Sequence, residues 1–298
     1  MFYRKSAFVI GAGASFELGL PVGDGLKKSI TNLLNITYPD GYTQATGDHQ
    51  IRELLQAKAR ADGRNDWNYL LRKCWLIRDA LPGSLSIDNL LDAHRSDPDI
   101  ALIGKLGITK AILSAERSSK LFVNPRQDRE LKFSDLGGTW LIPLFQLLTE
   151  GVIKSEVVSI FKNVTFIVFI YDRCLEKFLP TALELYYGFE SSEAKEIARL
   201  AKIIHPYGRV GKADSTEPFA SVPFGAERYD LALNAEGIKT FSEGLHDPLS
   251  KEALTQSIQS AEQIIFLGFA FHPLNMEILQ APPKKLTKAS RSLGPLMD

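Results

Sequence analysis

Apolar residues along this chain fall into two patterns, and the way these alternate outlines a fold. Short apolar runs of strand length stand at residues 7–10, 164–170 and 263–268. The second, Val164-Thr165-Phe166-Ile167-Val168-Phe169-Ile170, is nearly unbroken and β-branched, as a parallel strand covered on both faces requires. Ile203-Ile204-His205 predicts a further short strand. Elsewhere apolar residues recur at helical spacing, over 24–35, 50–61, 66–80, 99–114 and 138–153, and again over 173–187, 192–201 and 251–261. Residues 40–157 hold no alternating strand. Strands separated by helices predict an α/β fold with a Rossmann-like parallel sheet. The expected division is a core of residues 1–39 and 158–298, interrupted by a large helical insertion over 40–157.

The first strand breaks into Gly11-Ala12-Gly13-Ala14-Ser15, followed by Gly19-Leu20-Pro21. Glycines in a strand-to-helix turn let backbone N–H groups approach a phosphate, so this stretch predicts an anionic ligand. The dinucleotide fingerprint with three glycines is incomplete, because position 16 is Phe. Ligands of open α/β sheets sit outside the carboxyl ends of the strands. Four such ends follow from the pattern: the glycine turn, Ile170-Tyr171-Asp172-Arg173, His205-Pro206-Tyr207-Gly208, and Gly268-Phe269-Ala270-Phe271-His272. Asp172 is also placed to cap the helix after it, and Ser86 and Asp88 to begin another.

Composition narrows the function classes. The 298 residues are 45% hydrophobic and 23% charged, the profile of a globular protein with a sizeable core. Lys+Arg and Asp+Glu are each 35, so net charge gives no reason to expect nucleic acid or an anionic membrane as a direct partner. No run approaches the ~20 apolar residues of a membrane span, and the short apolar run after Arg4 and Lys5 is cut by glycines, unlike a secretion signal. The expected location is the cytoplasm. Cys74 and Cys174 stand in apolar helical contexts and read as buried free thiols, with no disulfide and no metal. The basic stretch 284–291 reads as a solvated end.

The order of the strand-end segments resembles the sirtuin superfamily. Gly11-Ala12-Gly13-Ala14-Ser15 with Gly19-Leu20-Pro21 is similar to its Gly-Ala-Gly-x-Ser…Gly-Ile-Pro signature, and Tyr171-Asp172 with Leu175-Glu176 to its Asn-Tyr-Asp…Leu-Glu segment. His205-Pro206-Tyr207-Gly208 resembles its His-x-x-Gly, and Phe266-Leu267-Gly268-Phe269 its late strand. Ser86-Ile87-Asp88-Asn89-Leu90-Leu91 resembles a segment of the prokaryotic branch. The resemblance implies NAD as substrate, held by Gly11, Ala12, Gly13, Ala14, Ser15, Pro21, Tyr171, Gly268 and Phe269, with His205, Asp172 and position 170 at the reacting bond. Two cysteines cannot build the four-cysteine zinc module of sirtuins proper. The resemblance therefore leans to the prokaryotic NAD glycohydrolases of antiviral defence, which cleave NAD to nicotinamide and ADP-ribose. It also implies a homo-oligomer and a partner such as an ATPase, an Argonaute-like protein or a phage trigger.

One position departs from the pattern: Ile170 stands where the family has Asn. Either the chain is an NAD glycohydrolase, in a copy that Ile170 inactivates or with His205 working beside another polar partner, or it is a catalytically dead module that binds NAD or ADP-ribose and regulates a partner. An NAD-dependent protein deacylase is a third reading.

Overall fold

The computed structural model describes residues 1–127, 129–211, 222–246 and 248–280, so the basic stretch 284–291 lies outside the described residues. Strands β1 (Ser6–Ile10), β2 (Val164–Val168), β3 (Lys202–Ile204) and β4 (Gln263–Leu267) form a four-stranded, all-parallel sheet in the order β3-β2-β1-β4. Every residue of β1 is buried, and its register sets Ile10 beside both Val168 and Leu267. Three strands therefore end level. The chain fills β1, β2 and β3 in one direction and then returns to the far side of β1 for β4, so the strand order reverses between β1 and β4. A parallel sheet holds its ligands at that reversal.

Side chains along a strand point alternately to opposite faces, and β1 feeds two cores. After the short α1 (Ala12–Phe16), helices α2 (Gly23–Leu34), α3 (His49–Ala61), α4 (Asn68–Ala80), α5 (Ile87–Ala93) and α6 (Pro98–Ser118) share a core with Ala7 and Val9. Phe8 and Ile10 share the other core with α7 (Leu141–Thr149), α8 (Cys174–Tyr187) and α9 (Ser191–Ala198). The stretch 40–157 is thus divided between the two faces of the sheet. Four later helices, α10 (Leu231–Ala235), α11 (Phe241–His246), α12 (Pro248–Ser260) and α13 (Pro273–Leu279), return to the first face. Within that layer, Gly104 of α6 lets α5 lie directly on it: a Cβ at Gly104 would stand 2.5 Å from Leu91 Cδ2. Ser86 caps α5 by accepting the Asn89 N–H at 3.2 Å, which fixes Asp88 in the first turn.

The second strand is shorter than its apolar run. Pairing with β3 stops at Ile167, and the Phe169 N–H makes one more bond to the Ile10 carbonyl, at 2.8 Å. Ile170 is therefore in the loop beyond the strand, not its last residue. No helix among the described residues is long and apolar enough to cross a membrane. Cys74 and Cys174 are free and buried; burial pushes the Cys74 thiol up to about 12 and the Cys174 thiol well above its ordinary range.

The turns after β1 and β4 interlock. Gly11 N–H donates to the Leu267 carbonyl and Gly13 N–H to the Gly268 carbonyl, each at 2.9 Å, while Ala14 N–H closes back on the Gly11 carbonyl at 3.0 Å. Backbone meets backbone with no room for side chains: a Cβ on Gly268 would lie 2.0 Å from Ala14 N, and one on Gly11 2.5 Å from the Gly268 oxygen. Gly268 also holds φ at +55°, in the left-handed region. Gly268→Ala should therefore cost at least ~2 kcal/mol, from the left-handed φ together with the forced separation of the turns. Urea denaturation measures this; a Gly268→Ala protein as stable as the parent would show that the turns are not interlocked.

Candidate functional site

A cavity of about 220 Å³ opens where β1, β2 and β4 end. The first turn supplies Gly11, Ala12 and Pro21 to its wall, the second Ile170, Tyr171 and Asp172, the third Tyr207, and the last Phe269 and His272. Ser86 and Asp88 of the α5 start complete it from the helical layer. Gly13, Ala14, Ser15, Gly268 and His205 are not on this wall.

Those five residues are used inside the protein. The amides of Gly13 and Ala14 are spent on the interlocked turns, and the Ala14 carbonyl accepts the Trp140 indole N–H at 2.9 Å. Buried Ser15 donates its hydroxyl to Asp172 Oδ2 at 2.8 Å, and Asp172 Oδ1 accepts the Cys174 N–H at 3.0 Å. Asp172 thus ties the glycine turn to the start of α8 while forming part of the cavity wall. Burial raises its carboxyl above the usual carboxylate range. The glycine turn that the sequence assigns to phosphate is in large part a packing device.

His205 directly follows β3 and is almost wholly enclosed, with 7% of its side chain exposed. Nε2 stands 2.8 Å from Glu176 Oε1, and Nδ1 stands 3.3 Å from the Ile170 carbonyl. Both partners are acceptors, so a ring nitrogen that bonds to either one donates to it. Arg209 pairs with the same Glu176 oxygen. Burial by itself would raise the Glu176 carboxyl, but the charges of His205 and Arg209 outweigh it and bring the group down to about 2.

The polar residues that line the cavity come from distant parts of the chain. Tyr171 donates its hydroxyl to Asp88 Oδ1, across 83 positions of sequence. Burial raises both groups, with the Asp88 charge adding to the effect on the tyrosine. Tyr207 donates its hydroxyl to Asn275 Oδ1 at 2.8 Å. His272 Nε2 is buried and has no hydrogen-bond partner among the described residues. The residue before it, Phe271, holds φ at +51°, a left-handed conformation that costs a non-glycine residue about 1 kcal/mol. Phe169 and Phe269, with ring centroids 5.3 Å apart, are among the apolar residues of the wall.

Sequence reasoning finds Ile170, Tyr171, Asp172, Pro21 and Phe269 as neighbours of this cavity but gives Asp88, His272 and Asn275 no role in it. Asp88 and His272 stand in stretches the sequence singles out, yet only the fold turns them toward one space. A second polar centre also goes unread: Arg173 clasps fully buried Glu116 of α6 through Nε at 3.0 Å, and the Gly225 N–H joins the same carboxylate at 3.0 Å. Among the described residues no group of three His, Cys, Asp or Glu lies close enough to hold a metal ion.

The Glu176 centre has a measurable signature in acid. Its folded carboxyl titrates near 2, below the ordinary 4.5, so its stabilising contribution is complete above about pH 4.5 and is lost as pH falls toward 2. Glu176→Gln should cost about 2–3 kcal/mol near neutral pH and should flatten the fall in stability between about pH 5 and pH 2. Urea denaturation across that range tests this, and parallel losses in parent and variant would contradict it. Comparison of the chain with family models, with curated proteins and with solved structures finds no match, so the functional reading rests on the site itself.

Proposed function

We propose that this chain is a sirtuin-like nucleotide-binding protein that holds NAD or ADP-ribose at the carboxyl ends of β1, β2 and β4, and that Ile170 silences cleavage of the nicotinamide–ribose bond. One observation carries the reading. The cavity at the reversal of strand order is bordered by Gly11, Ala12, Pro21, Ile170, Tyr171, Asp172 and Phe269, the very segments whose order resembles that family.

Hydrolysis of NAD breaks the bond between the anomeric carbon and the nicotinamide nitrogen and forms a bond from that carbon to a water oxygen. The nicotinamide leaves with the bonding electrons, and the water gives up a proton. A protein accelerates this by orienting the water and receiving its proton. Ile170 borders the cavity and offers neither donor nor acceptor. His205 has both ring nitrogens turned to Glu176 and to the Ile170 carbonyl. Binding without turnover is what this arrangement favours.

The second reading is an active NAD glycohydrolase of a prokaryotic antiviral system, switched on by a trigger or partner. The His205–Glu176 contact favours it in one respect, since a ligand or partner that separated the two would free the imidazole for proton transfer.

Ile170→Asn should raise nicotinamide release by ~10²–10⁴, the range for a positioned group in a proton-handling step, while the parent chain binds NAD and turns it over very slowly. Calorimetry measures the binding and chromatography the nicotinamide. Robust hydrolysis by the parent, equal to that of Ile170→Asn, would overturn the silencing role. No binding of NAD or of ADP-ribose to the parent would overturn the nucleotide reading altogether.

A further inference from the structure

The enclosed space is small. At about 220 Å³ it falls below the ~300 Å³ at which pockets begin to bury a drug-sized ligand, so it encloses one portion of a dinucleotide and leaves the rest outside. The charges and donors on its wall decide which portion that is.

A phosphate is disfavoured there. Asp88 and Asp172 both border the cavity, and the ammonium of Lys27, also on the wall, is held by the Ser84 carbonyl at 2.8 Å and by Asp24. Of the glycine-turn amides, those of Gly11 and Gly13 are bonded to β4 and that of Ala14 to the Gly11 carbonyl. A sugar fits the same wall. Asp88 accepts the Tyr171 hydroxyl on Oδ1 and, as a carboxylate, has further lone pairs for a ligand hydroxyl. His272 Nε2 is buried in the wall and unpartnered among the described residues. Tyr207 holds Asn275 by its carbonyl oxygen, which leaves the amide NH2 as the half available to a ligand oxygen. Acceptors, a donor and an imidazole nitrogen set among Phe169, Ile170 and Phe269 match the hydroxyls and apolar face of a pentose.

Resting on the nucleotide reading above, we propose that the cavity encloses a ribose of the ligand, and that Asp88 and His272 read its hydroxyls. The glycine turn then positions strands, and the ligand's phosphates lie outside the enclosed space. His272, not His205, is the histidine that touches the ligand.

The test is calorimetric titration of the full chain, its Asp88→Asn variant and its His272→Ala variant with ADP-ribose, ADP and inorganic pyrophosphate. A hydrogen bond to a sugar hydroxyl is worth about a tenfold change in Kd or more. Both variants should therefore bind ADP-ribose at least ~10-fold more weakly than the parent while binding pyrophosphate unchanged. The ADP arm identifies the sugar: an equal loss for ADP assigns the enclosed ribose to the adenosine, and a loss confined to ADP-ribose assigns it to the terminal ribosyl group. The sign of the Asp88 effect is decisive, because removing a negative charge beside a phosphate tightens binding, whereas removing an acceptor beside a hydroxyl weakens it. Tighter binding of ADP-ribose by Asp88→Asn, or parent-like affinity in a His272→Ala protein with an unchanged melting temperature, would overturn this proposal and leave the nucleotide reading standing. Failure of the parent to bind ADP-ribose or NAD would overturn both.

Discussion

The carboxyl end of the sheet depends on the approach of two backbones. Gly11 and Gly13 donate to Leu267 and Gly268, and the turns lie so close that a methyl group on Gly268 would fall inside the Ala14 amide. The contact joins β1 to the strand across the reversal in strand order, so it fixes the relative height of the two loops that border the cavity. It also occupies the Gly11 and Gly13 amides. The side chains around this crevice include two carboxylates, two tyrosines, an asparagine and a histidine from five separate elements or loops.

The two histidines of the strand ends divide along the same line. His205 is drawn behind the wall by Glu176 and the Ile170 carbonyl, and Arg209 completes a compact charged centre that stiffens the junction of β3, α8 and the loop after β2. His272 stands on the cavity wall, held by a strained turn and by the start of α13, with a ring nitrogen that the described residues leave unmet. Burying a nitrogen in that condition costs folding free energy on the order of 1–3 kcal/mol. A ligand contact that offsets this cost upon binding is the simplest physical account of it.

Much of this was legible in the sequence. Apolar runs gave β1, β2 and β4 to within a few residues, because buried parallel strands leave a signal in composition as well as in spacing. The segments at the strand ends followed from the rule that ligands gather there, and Ile170, Tyr171, Asp172 and Phe269 do border the cavity. What stayed hidden depends on contacts between elements. The glycine turn reads the same whether its amides face a ligand or another turn, and only the partner, Gly268, decides. His205 meets Glu176 across 29 positions, and Tyr171 meets Asp88 across 83, distances over which no local pattern speaks. The insertion looked like a unit because its helices are continuous, whereas the alternation of Ala7 and Val9 with Phe8 and Ile10 sends α7 to one face and α3 to α6 to the other.

The central claim is that a nucleotide sits in the crevice between the strand ends, bordered by side chains of α5 and of the loops after β2 and β4. Amide hydrogen exchange with and without ADP-ribose tests it most directly, since each border lies in a different peptide. The expected result is slowed exchange in residues 85–91, 169–175 and 268–275 together, with residues 141–161 on the opposite face unchanged. Protection confined to the larger cavity of about 740 Å³ that Phe16, Asn32 and Ser114 line would contradict it.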